Sequence, residues 1–270
     1  MKPGSPQARA LFSKKEIEFK GELEKSKSII RRLEAELKQP DEIFNPYRLI
    51  GVANEYLRMI HLYVTITEDM AFLKGSKNES YLTEGRKAYY NALLNLEKIF
   101  SDIINLEPTE IQDTASKLPK FDPARKVIFF RKMGFTLDLL SESFGEKSKY
   151  RWAFTDMFAR YAIVMKNSMN YKDLLARDPR KPFFEENEIL INMVMELLNK
   201  ASDKLREKYE LATKEFDDMN KAVKILEELR RLYTLTSDQN AVDEIKKKMD
   251  VWNEKLEKDM KNKEQQKKRK

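Results

Sequence analysis

The last third of the chain carries two apolar series at heptad spacing, and no other feature limits the fold as strongly. Leu205, Ala212, Met219, Leu226 and Tyr233 recur every seven residues, with Tyr209, Phe216 and Val223 at the alternate positions. After residues 236–240 the pattern resumes with Val242, Ile245, Met249, Trp252 and Leu256, and Met260 falls one step off. Steps of three and four put such side chains on one stripe of an α-helix, the seam along which helices pack. Two stripes across a short turn predict an antiparallel coiled-coil-like hairpin over 205–260. Leu226 then lies near Met249, Val223 near Trp252 and Met219 near Leu256. The first of these helices is expected to run from about Phe183 to Leu235, roughly fifty residues or on the order of 75 Å.

The remainder also reads as helix. Charged residues make up 36% of the chain, against roughly 25% in a typical soluble domain, while Gly (7) and Pro (9) are scarce. No alternating β-branched run bounded by turn residues occurs, so the expected class is all-α: an elongated helical bundle with a protruding hairpin arm. Ser13 with Glu16 forms a capping-box pattern and predicts a first helix to about Lys38, its column Phe12, Phe19, Leu33 interrupted by Ser26. The stripe is narrow enough to join the arm as a third strand. Asn45-Pro46 opens a second helix that ends at Lys74-Gly75, and Tyr81 to Asn105 gives a third. A short helix follows Glu107-Pro108. Asp122-Pro123 starts one that buries Val127, Phe130, Met133, Leu137 and Leu140 and stops at Gly145. Ser148 caps another, expected to reach Ala176. The resulting division is a flexible 1–12, a helical body over 13–204, the arm over 205–260 and a basic, solvated tail over 261–270.

Composition removes several kinds of chemistry. The chain has no cysteine, which excludes disulfides, zinc–thiolate sites and thiol catalysis. His61 is the one histidine and sits mid-helix between Ile60 and Leu62, where packing explains it. No Gly-rich phosphate cradle, nucleophile elbow or calcium loop is present, so neither cofactor nor metal is expected. Glu185, Glu186 and Glu188 suit a helix N-terminus by charge alone. The net charge is +7, but much of the excess lies in the tail, and no basic face interleaved with aromatics marks a nucleic-acid groove. No apolar run approaches the ~20 residues of a membrane span. The chain is therefore expected to be no enzyme and to work through protein partners. Phe121, Phe183 and Phe184, each beside prolines, are the candidate partner contacts.

Aromatic residues concentrate between Phe121 and Phe184, including Phe129-Phe130 and Tyr150-Arg151-Trp152-Ala153-Phe154. This centre, with the hairpin Leu205–Tyr233 and Val242–Met260, resembles the leptospiral flagellar coiling proteins, all-helical proteins of the periplasmic flagellar sheath. The resemblance is one of plan over most of the chain and carries no residue-by-residue motif. It implies a bent molecule with a helical body and a long arm, contacts with filament core and other sheath subunits, and an influence on filament curvature and motility. It also implies a periplasmic location. The start, Met-Lys-Pro-Gly-Ser-Pro-Gln, has no apolar core of a signal peptide and suits either an added Met or a flexible mature N-terminus left after a leader was removed. The alternative is a cytoplasmic adaptor or chaperone-like scaffold that clasps one partner through its coiled arm.

Overall fold

In the computed structural model, which describes residues 2–39, 42–172 and 178–268, the described residues form nine α-helices and no strand. They are α1 (Pro6–Glu36), α2 (Asn45–Lys74), α3 (Glu79–Phe100), α4 (Pro108–Ser116), α5 (Pro123–Phe144), α6 (Arg151–Asn167), α7 (Phe184–Lys208), α8 (Phe216–Leu235) and α9 (Gln239–Lys268). The chain divides into two compact units, Met1–Ser101 with Lys117–Phe154, and Asp102–Ser116 with Thr155–Lys270. The expected division at residue 204 is not where the packing separates.

In the first unit α1, α2 and α3 pack in sequence, and α5 lies on α2 and α3. Helix α1 begins earlier than the capping-box pattern suggests. Ser5 is the N-cap and accepts from the Ala8 amide, with Pro6 in the first turn. Ser13 lies inside the helix and donates to the Arg9 carbonyl (3.0 Å), while Glu16 pairs with Lys20 (3.1 Å). Residues 6–12 are therefore helical, and Ala8 and Phe12 are buried. The apolar stripe of α1, with Phe19, Leu23 and Ile30, is covered by Val52, Met59, Tyr63, Ile66 and Leu73 of α2. Ion pairs Lys15–Asp69 (2.5 Å) and Glu22–Arg58 (2.6 Å) fix the antiparallel register of α1 and α2.

Helix α2 closes with Gly75 in the left-handed region (φ 74°), a conformation a Cβ would oppose. Helix α3 stops at Phe100, five residues short of the expected end, because Ser101 takes φ 63°. The expected seam residue Ile103 is accordingly exposed. Helix α5 starts as its sequence dictates, with the Asp122 carboxylate accepting from the Arg125 amide (2.9 Å). Its expected inward residues Val127, Phe130, Met133, Leu137 and Leu140 are all buried.

In the second unit α7 and α8 do not form one rod. After Lys208 a π-turn over Tyr209–Thr213 widens the helix, and the Lys214 amide donates back to the Tyr209 carbonyl (3.0 Å). Lys214 then takes φ 51°, and the chain reverses into α8. The expected fifty-residue helix is thus a hairpin, and α8 packs on α7 as well as on α9. Tyr209, Met219, Val223, Leu226, Ile245, Met249, Trp252, Leu256 and Leu205 are buried as the heptads predict. Phe216, Tyr233 and Val242 are half-buried. Ala212 is exposed, because the π-turn rotates it off the seam. Helix α9 runs parallel to α7: Lys248 reaches Asn199 (2.9 Å) and Asp203 (2.8 Å), and the Tyr209 hydroxyl donates to Asp259 (2.7 Å). The α8–α9 hairpin is one side of a bundle rather than a free arm. Helix α6 ends at Asn167, well short of the expected Ala176, because residues 168–170 leave the helix; Ala176 itself and the last two residues of the basic tail lie outside the described residues.

Candidate functional site

Three places gather side chains with something to do, and they differ in what they leave open. The first is the outward face of α5. A helix that buries a wide stripe normally shows polar residues on the other side. Here Ile128 and Phe135 stand two turns apart on that side, 70% and 61% exposed. Arg125, Arg131, Asp138 and Glu142 complete the stripe and are exposed too. His61 of α2 supports the Phe135 ring from below, stacked at 5.8 Å and 19°, while its Nε2 meets Thr136 Oγ1 at 3.0 Å. Burial and then the nearby Lys132 charge hold the imidazole below its ordinary pKa, so it is neutral at pH 7. Lys132 donates to Asn54 Oδ1 (2.8 Å), and burial, against the pull of Glu55, holds its ammonium below the usual lysine range. Beside this face a groove of about 210 Å³ runs along Val64, Glu68, Leu139 and Glu142. The stripe offers two apolar side chains in a charged frame, held by a helix with a strong cap at its start.

The second place is the polar interior of the second unit. Lys166 is fully buried, its Nζ 2.8 Å from Glu228 Oε2. Arg231 reaches the other oxygen of Glu228 at 3.6 Å and Glu107 at 3.9 Å. The Tyr171 hydroxyl donates to the Lys166 carbonyl (3.2 Å), and burial pushes its pKa far up. Burial pulls the Lys166 pKa down and Glu228 offsets part of that. An ammonium spent on a carboxylate in a closed interior is an internal tie, not a nucleophile facing a substrate.

The third is the corner between α7 and α8. Lys208 bridges Asp156 (2.7 Å) and Asp218 (3.0 Å), and Thr213 Oγ1 donates to Asp218 Oδ2 (2.7 Å) while accepting from the Glu215 amide (3.2 Å). Burial opposes the Lys208 charge, but the two carboxylates outweigh it and hold its pKa above the ordinary value. Every group here closes the turn.

The expected partner contacts separate. Phe121 is buried, 5.7 Å from Phe129 and 6.4 Å from Phe100, so its ring belongs to the core. Phe183 is 42% exposed with φ 64°, and Phe184 is half-buried behind it. Sequence reasoning passed over Ile128 and Phe135, although both fall off the 127/130/133/137/140 stripe, which was the available signal. Lys166 and Glu228 were passed over as well. Each interrupts an apolar face, Lys166 after Ile163-Val164-Met165 and Glu228 between Ile225 and Leu232.

Residues 8–260 match the model of the TP0443 family, a spirochaete (Treponema) family. No curated protein matches the chain. Among solved structures, a chain described as a computationally designed self-assembling cyclic homooligomer is similar at 12% identity, over 93% of this chain and 98% of its own, with a TM-score of 0.33. A likeness of that degree supports no functional argument. Among the described residues no helix is long and apolar enough to cross a membrane.

Proposed function

We propose that this chain, which belongs to the TP0443 family, is a non-enzymatic structural protein that docks onto protein partners through the outward face of α5. In its most specific form it is a sheath or coat component of the periplasmic flagellar filament in a spirochaete. The observation that supports this is the exposure of Ile128 and Phe135 on one rigid helix. Covering an exposed large apolar side chain is worth roughly 1.5–3 kcal/mol, and aromatic anchors framed by charge are the usual centres of binding energy. The ionisable groups inside the second unit, by contrast, are engaged with one another. The flagellar setting comes from the resemblance in plan, and lateral packing of helical subunits along a filament is how such a protein would bias curvature.

An adaptor that clasps a partner between its C-terminal helices fits the geometry less well. Met249 and Trp252, which would have to be free for it, are buried in their own bundle. The test is co-sedimentation of the purified chain with flagellar filaments stripped of their sheath. The expected result is saturable pelleting that Phe135→Asp reduces at least tenfold. A chain that stays in the supernatant at every concentration contradicts the flagellar reading.

A further inference from the structure

We infer that the α5 stripe is self-complementary and that one of its partners is a second copy of this chain, bound with the two α5 helices antiparallel about Phe135; the inference rests on the reading of that stripe as a docking face. The charge order supplies the argument. Reading along the exposed stripe, Arg125 and Arg131 precede Phe135, and Asp138 and Glu142 follow it, with Lys132 half-buried at the inner edge. The sign reverses at the aromatic residue. In an antiparallel pair with Phe135 at the dyad, a residue a given distance before Phe135 faces the one the same distance after it. Arg131 then lies beside Asp138 of the second copy on the same flank of the stripe, and the alkyl stem of Glu142 covers Ile128, while Lys132 stays on Asn54 of its own copy.

Two-fold symmetry makes each of these contacts twice, as an isologous interface requires. A parallel pair would set Arg131 on Arg131 and Asp138 on Asp138, and like charges facing one another in a desolvated interface repel. Antiparallel helices also oppose their macrodipoles favourably. One helix stripe is a small contact, so the dimer is weak, forming in the micromolar range and weakening with salt.

The experiment is sedimentation equilibrium on the full chain across roughly 1 µM to 1 mM at low salt. It is run on wild type, on Arg131→Asp, on Asp138→Arg and on an equimolar mixture of the two variants. Both side chains face solvent, so circular dichroism should show wild-type helix content. The wild type is expected to dimerise reversibly and less tightly as salt rises. Each variant alone should associate at least about tenfold more weakly. The mixture should recover dimers, because the unlike pair places opposite charges together at both symmetric contacts. A wild type that stays monomeric throughout overturns the inference. So does a mixture no tighter than its parts, or a dimer indifferent to salt and to both reversals. A monomeric wild type that still pellets with filaments removes self-association and leaves the scaffold reading standing.

Discussion

Lys166 Nζ lies 2.8 Å from Glu228 Oε2, with no part of the lysine side chain open to solvent. Removing one member of such a pair strands a buried charge, whereas replacing both with apolar groups of similar volume is often neutral. Lys166→Met should therefore cost about 3–5 kcal/mol. The 3.6 Å contact with Arg231 should keep the loss near the lower end. Lys166→Met with Glu228→Leu should regain most of it. Urea unfolding of both variants decides the matter, and equal losses in the single and the double would show that the two residues do not act as a pair.

Ser26 interrupts the apolar column of α1, is fully buried, and its hydroxyl has no hydrogen-bond partner among the described residues. A buried unsatisfied hydroxyl costs free energy that a methyl group does not. Ser26→Ala is expected to raise stability by about 1 kcal/mol, read as a higher urea midpoint at unchanged slope. A loss of stability would mean that the hydroxyl is satisfied after all.

Lys214 holds the α7–α8 corner at φ 51°, where a side chain other than Gly or Asn is disfavoured. Relieving that backbone should outweigh the loss of the Lys214 ammonium from above the Tyr209 ring (5.5 Å). Lys214→Gly is expected to stabilise the second unit by roughly 0.5 kcal/mol, and Lys214→Val to destabilise it by more than that. Thermal melts of the two variants should move in opposite directions.

His61 makes the first unit sensitive to acid. Its folded pKa lies below the ordinary imidazole value of 6.5, chiefly because of burial, so the unfolded chain binds the proton more readily. The stability it contributes is fully present above about pH 6.5 and is lost as pH falls through the folded pKa. Wild type should lose more stability than His61→Gln between about pH 7.5 and pH 5. Parallel pH profiles for the two proteins would show that His61 is not the group responsible.

The local punctuation of the sequence carried most of the helix boundaries. Asn45-Pro46 with Gly75, and Asp122-Pro123 with Gly145, mark α2 and α5 because proline and aspartate fit a helix start and glycine fits its end. The break at Lys214 left no such mark. It is made by Lys208, Thr213 and Asp218 closing on one another, a tertiary arrangement that a heptad count cannot register. The apolar spacing ran on through the break because both segments face the same bundle interior. Ser5 and Ser13 illustrate the same limit: each begins a plausible cap pattern, and the packing of Ala8 and Phe12 on the core selects Ser5. The α5 stripe was hidden for a different reason. Ile128 and Phe135 are apolar like the core residues beside them, so only the phase of the helix separates an outward phenylalanine from an inward one.

The central claim, that the outward face of α5 meets protein in the cell, is tested most directly by a photo-crosslinking amino acid placed at residue 135. Residue 17 on α1, where Ile17 is 73% exposed, is the control. Crosslinking in living spirochaetes, followed by mass spectrometry of the products, should join residue 135 to flagellar sheath or filament subunits, this chain included, and leave residue 17 without specific products. Crosslinks at residue 135 that are absent, or no different from those at residue 17, would contradict the account.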